Sequence, residues 1–399
     1  MTKTRTCSLS CRAGGLLGLS VVLASLASIE SADASKPAEP AKPAKPVDPG
    51  KPVDPGKPAA APSAGAPGAA HPAQEDGPIT NADRTAAIDA LVTALGQHYV
   101  FPDKAAALGK QLRSRQHSGA YAPLARGQAF ARALTDDMVA LVHDKHLEVR
   151  YFADPIPQTE ADRPSAMDDE EVAEMRYLNH GVFEVRRMRF NLGYINFNAF
   201  GRPVATAATK LAAAMRLVAD TQGLIIDLRA CRGGDTDTVT LAESYFFPAS
   251  THLLDLYVRS TNTTENARAV AELDGPRYAA SKPVFVLIGE STVSGCEGFA
   301  YALQVRKRAT VIGGRSAGAA YFGGPRRLSD HFMAFVPVGR PIDPITHGDW
   351  EGTGVVPSIA VAPDQALAAA ERELLQRLEP QERNGRRRAD MQKRIAELP

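Results

Sequence analysis

Ser294 has the residue type and the surroundings of a nucleophile for acyl transfer. It follows a strongly apolar segment, residues 284–289, and stands at the start of a segment with helical composition. A hydroxyl at a helix N-terminus lies at the edge of a sheet, where free backbone N–H groups can bind a developing oxyanion. Ser294 with Glu297 three residues later is also a capping box, the commoner role of such a serine. The serine alone therefore does not define the chemistry.

A second segment supplies glycines beside a predicted strand. Residues 223–228 form an apolar run typical of a buried parallel strand, and Gly233 and Gly234 follow it closely. Glycines let the backbone approach a substrate closely, so the N–H groups of Gly233 or Gly234, with that of Gly295, are candidates for an oxyanion hole. The pair could equally form a simple strand-to-helix turn.

A serine nucleophile also needs a general base, because a free hydroxyl is a poor nucleophile at neutral pH. His146 is the first candidate. Polar and apolar residues alternate over 146–151, so we expect His146 on the polar face of a strand, pointing away from the core. A surface histidine with only a local hydrogen bond is the alternative interpretation. His331 and His347 are further candidate bases.

Several short segments, taken in their order along the chain, resemble the C-terminal-processing (tail-specific) peptidase family. The resemblance is closer to its branch of tricorn-type peptidases and interphotoreceptor retinoid-binding protein modules. Each segment alone is common, and their order makes the signal specific. They are Asp144-Lys-His-Leu147, Gly193-Tyr-Ile195, Asp227-Leu-Arg with Gly233-Gly234, Ser294-Gly-Cys-Glu297, Ala309-Thr-Val-Ile-Gly-Gly314 and Trp350-Glu-Gly-Thr-Gly-Val-Val-Pro357.

The resemblance implies a serine endopeptidase that needs no cofactor or metal and acts on protein or peptide substrates. Ser294 would be the nucleophile, His146 the general base and Glu351 the acidic residue that orients the histidine. The lysine base of the tail-specific branch is missing, since residues 315–320 contain no lysine. Lys145 also stands where tricorn-type sites have a serine, which leaves open that Glu351 pairs with a lysine or only shapes its loop.

A protein of another class also fits these features. Retinoid-binding-protein modules have this architecture and hold apolar ligands, so a catalytically inactive apolar-ligand-binding module is the alternative function. The interval between His146 and the core is too short for the PDZ domain that many tail-specific peptidases insert. Neither glycine cluster has the spacing of a phosphate-binding loop, which disfavours a nucleotide-binding domain.

The periodicity of the chain predicts the elements that would position these residues. Apolar residues recur at helical spacing after Asn81, which predicts a small helical subdomain over 79–150. Strands and helices then alternate, so we predict an α/β core over 181–378 with a mixed, largely parallel sheet, ClpP/crotonase-like by the resemblance. Residues 379–399 form a charged tail. Predicted strands are 183–185, 192–197, 224–228, 284–289, 310–312 and 332–338, with a helix over 205–218.

The first residues predict export. Basic residues precede an apolar stretch, and Ala32-Asp-Ala34 offers small residues for cleavage, so residues 1–34 are predicted to be a signal peptide of a secreted or periplasmic protein. Residues 35–78 are rich in Pro, Ala and Lys and repeat Lys-Pro-Val-Asp-Pro-Gly, which predicts an extended linker without a core. A passive spacer is the default interpretation, and holding the folded part off an envelope surface or binding cell-wall polymer is the alternative.

Charge and cysteine usage exclude some functions. The chain has 46 Lys and Arg against 45 Asp and Glu, and this balance gives no broad basic field for nucleic acid. Metal-site spacings such as Cys-x-x-Cys are absent after residue 34. Cys7 and Cys11 would leave with the signal peptide. For Cys231 and Cys296 we expect two buried free thiols, with a disulfide as the alternative.

Overall fold

The computed structural model describes residues 76–156 and 169–399. The predicted signal peptide, nearly all of the predicted linker and both copies of the repeated hexapeptide lie outside the described residues. No helix in the described part of the chain combines the length and the apolar character that crossing a bilayer requires.

Within residues 76–156 and 169–399 the chain forms nine α-helices and eleven β-strands. The helices are α1 (Asn81–His98), α2 (Pro102–His117), α3 (Gly127–Val142), α4 (Asp169–Tyr177), α5 (Val204–Val218), α6 (Thr236–Ser244), α7 (Gly295–Val305), α8 (Ala366–Leu378) and α9 (Gly385–Glu397). The strands are β1 (Glu148–Tyr151), β2 (Val182–Arg187), β3 (Leu192–Phe197), β4 (Gly223–Asp227), β5 (His252–Val258), β6 (Thr263–Arg268), β7 (Val284–Ile288), β8 (Thr310–Gly313), β9 (Phe322–Arg327), β10 (Phe332–Ile342) and β11 (Ile359–Ala360).

The central sheet has the strand order β11-β8-β7-β4-β3-β2. Only β2 and β3 pair in an antiparallel direction, and the other pairs are parallel. Strands β4 and β7 are buried at every residue, as their continuous apolar runs require. The predicted α/β core with a mixed, largely parallel sheet is therefore confirmed.

The register of β4 and β7 places two functional loops side by side. Asp227 at the end of β4 pairs with Leu287 near the end of β7. Because parallel strands end at the same edge of a sheet, the chain segments that follow them emerge together. One of these segments contains Gly233 and Gly234, and the other leads to Ser294.

A second, antiparallel sheet was not predicted. It has the order β1-β10-β5-β6, with β9 also paired to β10. The sequence predicts residues 332–338 as a strand of the central sheet. This prediction is wrong, because these residues belong to β10 of the second sheet. Strand β6 is exposed at nearly every residue, so it lacks the apolar alternation that reveals a strand. The β1–β10 pairing, for example Val149 with Ala334, attaches the segment that follows α3 to the rest of the molecule.

The helices that precede β1 follow the predicted apolar periodicity. Ile88, Leu91 and Leu95 of α1 and Phe130 and Leu134 of α3 are fully buried in one cluster. They belong to the same hydrophobic core as one face of the central sheet. The helical prediction for this region is confirmed.

The last two helices cover the other face of the central sheet. Leu374 and Leu375 of α8 pack with Phe285 of β7 in a second hydrophobic cluster. Met391 of α9 is buried in the same cluster, and Arg394 of α9 forms a salt bridge of 2.8 Å to Glu371 of α8. The predicted charged tail thus contributes a helix that packs on the core.

Candidate active site

Ser294 lies on a sharp turn between β7 and α7. It is the N-cap residue of α7, with φ 55° and ψ −123°. An N-cap normally has an extended conformation, and a positive φ is strained for a residue with a Cβ. Such a strained serine between a strand and a helix is the arrangement of a nucleophile elbow. The conformation distinguishes Ser294 from an ordinary helix cap.

The predicted capping box is also present at this turn. The Ser294 N–H donates to Glu297 Oε2 over 2.8 Å. Glu297 is fully buried, and burial raises the pKa of its carboxyl. Glu297 therefore fixes the backbone of the turn from inside the protein.

The loop after β4 lies against this turn. A Cβ added to Gly233 would stand 3.0 Å from the Cβ of Ser294, and one added to Gly234 would stand 2.1 Å from the carbonyl oxygen of Phe200. Both glycines have positive φ, 102° and 145°. This close approach of two backbones requires glycine at both positions.

The candidate oxyanion donors differ in availability. The Gly233 N–H is buried and donates to the Sγ of Cys296 over 3.0 Å. The N–H groups of Gly234 and Gly295 donate to no atom of the described residues. A Cβ added to Gly295 would lie 3.5 Å from the Gly234 nitrogen, so the two free N–H groups are neighbours. Gly234 and Gly295 are thus the pair that remains available to an oxyanion.

Cys231 and Cys296 form a disulfide, so the expectation of two free thiols is wrong. Both side chains are fully buried. Their Cα atoms are 6.0 Å apart, within the ordinary range for a disulfide. The sequence alone does not give this distance, because it depends on the neighbouring positions of β4 and β7.

His146 lies in the turn between α3 and β1. Its N–H donates to Asp144 Oδ1 over 2.9 Å, and its ring lies 6.0 Å from the ring of Phe335. The ring is half-buried, and its Nδ1 atom is inaccessible and has no hydrogen-bond partner among the described residues. His146 continues the alternation of the strand, since Leu147, Val149 and Tyr151 are buried and His146 is not, but the face on which it lies is partly covered and not open to solvent as a surface histidine would be.

The protonation state of His146 follows from this burial. Burial lowers the pKa of His146 to about 4. The charged form is disfavoured because the ring has lost water without gaining a hydrogen-bonded carboxylate. At neutral pH the imidazole is therefore uncharged and can accept a proton.

Glu351 lies beside this histidine. Its Oε2 accepts the N–H of Ala320 over 2.6 Å and that of Tyr321 over 3.3 Å. Its Oε1 is buried and has no partner in the described part of the chain. Burial, with a smaller contribution from the charge of Asp144, raises the pKa of Glu351 to about 7. The structure thus brings together His146 and the acidic residue predicted to orient it.

Asp144, a residue that the sequence analysis did not single out, completes this cluster. One donor atom from each of Asp144, His146 and Glu351 lies within 4.8 Å of the others. Asp144 is fully buried, and its Oδ2 has no partner among residues 76–156 and 169–399. Two carboxylates and an imidazole at this spacing could also hold a divalent cation.

Residues 315–321, which we call the 315–321 segment, connect the turn of Ser294 with this cluster. Glu297 accepts the Ser316 hydroxyl over 2.5 Å and the N–H groups of Gly318 and Ala319 over 2.6 and 2.9 Å. The adjacent residue, Ala320, binds Glu351. This role of Glu297 had no sequence signal beyond the capping-box spacing.

Lys145 binds the same segment. Its Nζ donates to the carbonyl oxygen of Ala317. The alternative in which Glu351 pairs with Lys145 is therefore not the arrangement in the structure. The contact instead holds the turn of His146 against the 315–321 segment.

The other candidate bases lie in different surroundings. His331 donates from Nδ1 to the carbonyl oxygen of Phe152 over 3.0 Å and stacks on Tyr151. His347 is exposed in a turn after β10. Neither belongs to the Asp144, His146 and Glu351 cluster.

A cleft of about 1050 Å³ lies at the opposite end of the central strands. Val284 and Thr310, the first residues of β7 and β8, line it together with several basic side chains. Ser294 and His146 do not line this cleft. The catalytic candidates therefore occupy the other edge of the sheet, where the carboxyl ends of the parallel strands meet.

The fold and the site define an α/β protein with a serine elbow, and comparison with known families agrees. Residues 191–361 match the peptidase family S41, and residues 80–186 match the N-terminal domain of Peptidase S41 in eukaryotic IRBP. The two matches together span most of the described residues, and the chain belongs to peptidase family S41. The resemblance predicted from the sequence is confirmed.

Individual relatives are distant. A carboxyl-terminal-processing protease of Synechocystis sp. is 28% identical over 173 residues, which are 43% of this chain and only 38% of that protein. A lipoprotein from Streptococcus agalactiae is 14% identical, with a TM-score of 0.50 over 74% of this chain and 96% of that chain. The photosystem II D1 C-terminal processing protease is 16% identical, with a TM-score of 0.42 over 72% of this chain and 94% of that chain. Family membership supports a peptidase in general terms.

Proposed function

We propose that this protein is a serine endopeptidase that hydrolyses peptide bonds through an acyl-enzyme on Ser294. The observation that carries the proposal is the strained backbone of Ser294, with φ 55°, beside two unoccupied N–H groups, those of Gly234 and Gly295. A helix cap needs neither feature. The strained turn is the conformation of a nucleophile elbow, and the two free N–H groups are what a tetrahedral intermediate requires for its oxyanion.

His146 acts as the general base in this mechanism. Its uncharged imidazole removes the Ser294 proton as Oγ attacks the substrate carbonyl, and the N–H groups of Gly234 and Gly295 bind the oxyanion. The imidazolium then protonates the leaving amine. Water, deprotonated by the same imidazole, hydrolyses the ester on Ser294 and releases the acid product.

Glu351 orients the imidazole and stabilises it when it becomes charged. Its Oε2 is held by the backbone of the 315–321 segment, its Oε1 is buried without a partner among the described residues, and one of its oxygens lies within 4.8 Å of a ring nitrogen of His146. A carboxylate with one anchored and one free oxygen suits this role, since it cannot rotate away. Closure around a substrate is expected to bring the imidazole to the Ser294 hydroxyl, because catalytic hydrogen bonds often tighten only in the complex.

Neither the cleft at the start of β7 and β8 nor the apolar cavity beside α5 supports the apolar-ligand-binding alternative. An apolar cavity between α5 and the central sheet, lined by residues such as Ile195, Leu211 and Phe299, has a volume of only about 10 Å³. Sites for small-molecule ligands usually measure about 300 Å³ or more. The large cleft described above is lined by charged side chains and does not suit an apolar ligand.

We also propose that the protein is exported, either secreted or periplasmic, with residues 1–34 removed and residues 35–78 acting as a linker near the envelope. The basic and apolar order of the first residues supports this, and so does the disulfide, because disulfides persist in oxidising compartments. Mass spectrometry of the exported protein should find Ser35 as the first residue. Retention of residues 1–34 would contradict the proposal.

Substitution of the two catalytic candidates tests the peptidase proposal. Ser294→Ala and His146→Ala should each abolish hydrolysis of an unfolded protein such as casein. Ser291→Ala and His331→Ala are matched controls and should keep wild-type turnover, because the structure gives these two side chains no part in the site. Circular dichroism should show that all four variants fold. Wild-type turnover in Ser294→Ala or His146→Ala would remove that residue from the mechanism.

A further inference from the structure

We infer that the Cys231–Cys296 disulfide positions the oxyanion hole, so that the reactivity of Ser294 depends on the oxidised state of this cysteine pair. The inference rests on the proposed function. Cys231 lies two residues before Gly233 in the loop after β4, and Cys296 lies two residues after Ser294 at the start of α7. The disulfide thus joins the two chain segments whose N–H groups form the hole.

Two hydrogen bonds accompany the covalent link. The Gly233 N–H donates to the Sγ of Cys296 over 3.0 Å, and the Val293 N–H donates to the carbonyl oxygen of Cys231 over 3.0 Å. The sulfur therefore serves both as part of the link and as the acceptor that holds the Gly233 peptide. This contact accounts for why Gly233 does not serve as an oxyanion donor, whereas Gly234, the next residue, does.

The glycine loop needs such support on the side of Ser294. Gly233 and Gly234 have no side chains to pack, and their positive φ values are those of residues with wide backbone freedom. On the opposite side the loop is held by hydrogen bonds to Phe200, whose N–H donates to the Gly233 carbonyl and whose carbonyl accepts the Asp235 N–H, each over 2.8 Å. On the Ser294 side the sulfur contacts and the Val293 hydrogen bond take that role.

Precise placement of the N–H groups has a direct effect on rate. An oxyanion donor works because it is already aimed at the developing charge before reaction, in a site that does not need to reorganise. Without the link, the Gly234 N–H becomes free to move relative to the Gly295 N–H. The substrate would still bind, while the tetrahedral intermediate would lose stabilisation.

Reduction breaks the Cys231–Cys296 disulfide by thiol–disulfide exchange. A thiolate of a dithiol reductant attacks one of the two cysteine sulfurs and forms a mixed disulfide, and the second thiol of the reductant displaces the remaining cysteine. The cysteine pair gains two electrons and two protons, and the dithiol becomes a cyclic disulfide. Because both cysteines are fully buried, the reductant reaches them only when the loop opens. A newly made reduced chain would accordingly gain activity on oxidation.

The disulfide also closes a long stretch of chain, with a sequence separation of 65 between its cysteines, and such a link stabilises the fold through the unfolded state. The test must therefore separate stability from positioning. We compare the wild-type protein with the double variant Cys231→Ser/Cys296→Ser at a temperature well below the unfolding midpoint of both. The readouts are kcat, KM and the rate at which Ser294 reacts with a fluorophosphonate probe.

A positioning role predicts that kcat and the labelling rate of the double variant fall by about 100-fold, the typical loss on removing one oxyanion donor, while KM changes little. Dithiothreitol should lower the labelling rate of the wild type, reoxidation should restore it, and the double variant should respond to neither treatment. Cys231→Ser alone should resemble the double variant. A digest of the unreduced wild type should contain the peptides of Cys231 and Cys296 joined to each other.

Equal labelling rates for folded wild type and double variant would overturn the inference alone, even if the variant unfolds at a lower temperature. Free thiols at both cysteines in the unreduced wild type would also overturn it. An oxidised wild type that does not react at Ser294 would overturn the proposed function, and the inference with it. If the double variant does not fold, native reduction of the wild type, with the cysteine state followed by alkylation, makes the same comparison.

Discussion

Glu297 and Glu351 bind consecutive peptide N–H groups of one segment. Glu297 Oε2 accepts the N–H of Ala319 over 2.9 Å, and Glu351 Oε2 accepts the N–H of Ala320 over 2.6 Å. Glu297 also accepts the N–H of Ser294, while Glu351 lies beside the proposed base. The nucleophile and the base come from distant parts of the chain, and this segment fixes their relative positions.

Glu297→Gln should therefore weaken both the fold and the site. An amide offers one acceptor oxygen where the carboxylate accepts four hydrogen bonds, so buried N–H groups lose their partners. We expect a loss of about 1–3 kcal/mol in the free energy of unfolding, measured by urea denaturation, and a lower kcat. Glu290→Gln, an exposed residue of the preceding loop, is the matched control. A Glu297→Gln protein with wild-type stability would contradict the structural role.

The dependence of kcat/KM on pH should have two steps. Activity requires uncharged His146, whose pKa burial lowers to about 4, so kcat/KM should rise with pH through about 4. It should rise again through about 7, where Glu351 ionises and can stabilise the imidazolium. Initial rates at substrate concentrations below KM measure this profile.

Glu351→Gln is the control for the upper step of that profile. In this variant kcat/KM should still rise near pH 4 but should no longer rise near pH 7. Its kcat should fall by up to about 10⁴-fold, as when the carboxylate of a catalytic triad becomes an amide. If kcat/KM of both the wild type and Glu351→Gln rose only once, near the usual histidine pKa, His146 would not be the general base described above.

Gly234→Ala should disrupt the oxyanion hole. Its Cβ would stand 2.1 Å from the Phe200 carbonyl oxygen, and the φ of 145° is strained for alanine, so the loop must move. We expect a fall in kcat on the order of 10²-fold or more, the loss of one oxyanion donor. The Cβ added by the control substitution Gly324→Ala would have no atom within 4 Å, so this variant should keep wild-type kcat. Peptide hydrolysis by the two variants makes the comparison, and equal kcat values would remove Gly234 from the site.

Glu243 should make the fold sensitive to alkaline pH. It is buried, and burial raises its pKa to about 8 from an ordinary value of 4.5, so the folded state favours the protonated form. The stabilisation from this group is complete below about pH 4.5 and is lost as the pH rises through 8. Between pH 4.5 and 8 the midpoint of thermal unfolding should fall less in Glu243→Gln than in the wild type. Glu265→Gln, an exposed control, should follow the wild type, and equal declines in all three proteins would contradict the shift.

The elements that the sequence predicts well are those with a strong local signal. The continuous apolar runs predict β4 and β7 to within a residue, and residues 192–197 coincide with β3. The helical periodicity of α5 is equally direct, since its buried residues recur every three or four positions. These elements suffice to predict that the glycine loop and Ser294 lie at one sheet edge.

Other features depend on contacts between distant segments, and the sequence does not give them. The pairing of β1 with β10 sets where His146 lies, and neither strand alone indicates it. The disulfide depends on β4 being the neighbour of β7. Glu297 resembles an ordinary capping residue until the 315–321 segment is seen to bind it. In each case the sequence pattern of one segment does not identify the distant segment that it contacts.

Reaction of the oxidised protein with a fluorophosphonate probe shows whether Ser294 is an activated nucleophile. Tandem mass spectrometry should locate the adduct on Ser294, and His146→Ala should slow its formation by about 10²- to 10⁴-fold, the usual contribution of a general base. The absence of an adduct on Ser294 would rule out Ser294 as the nucleophile, and an equal rate of formation in His146→Ala would rule out His146 as the base.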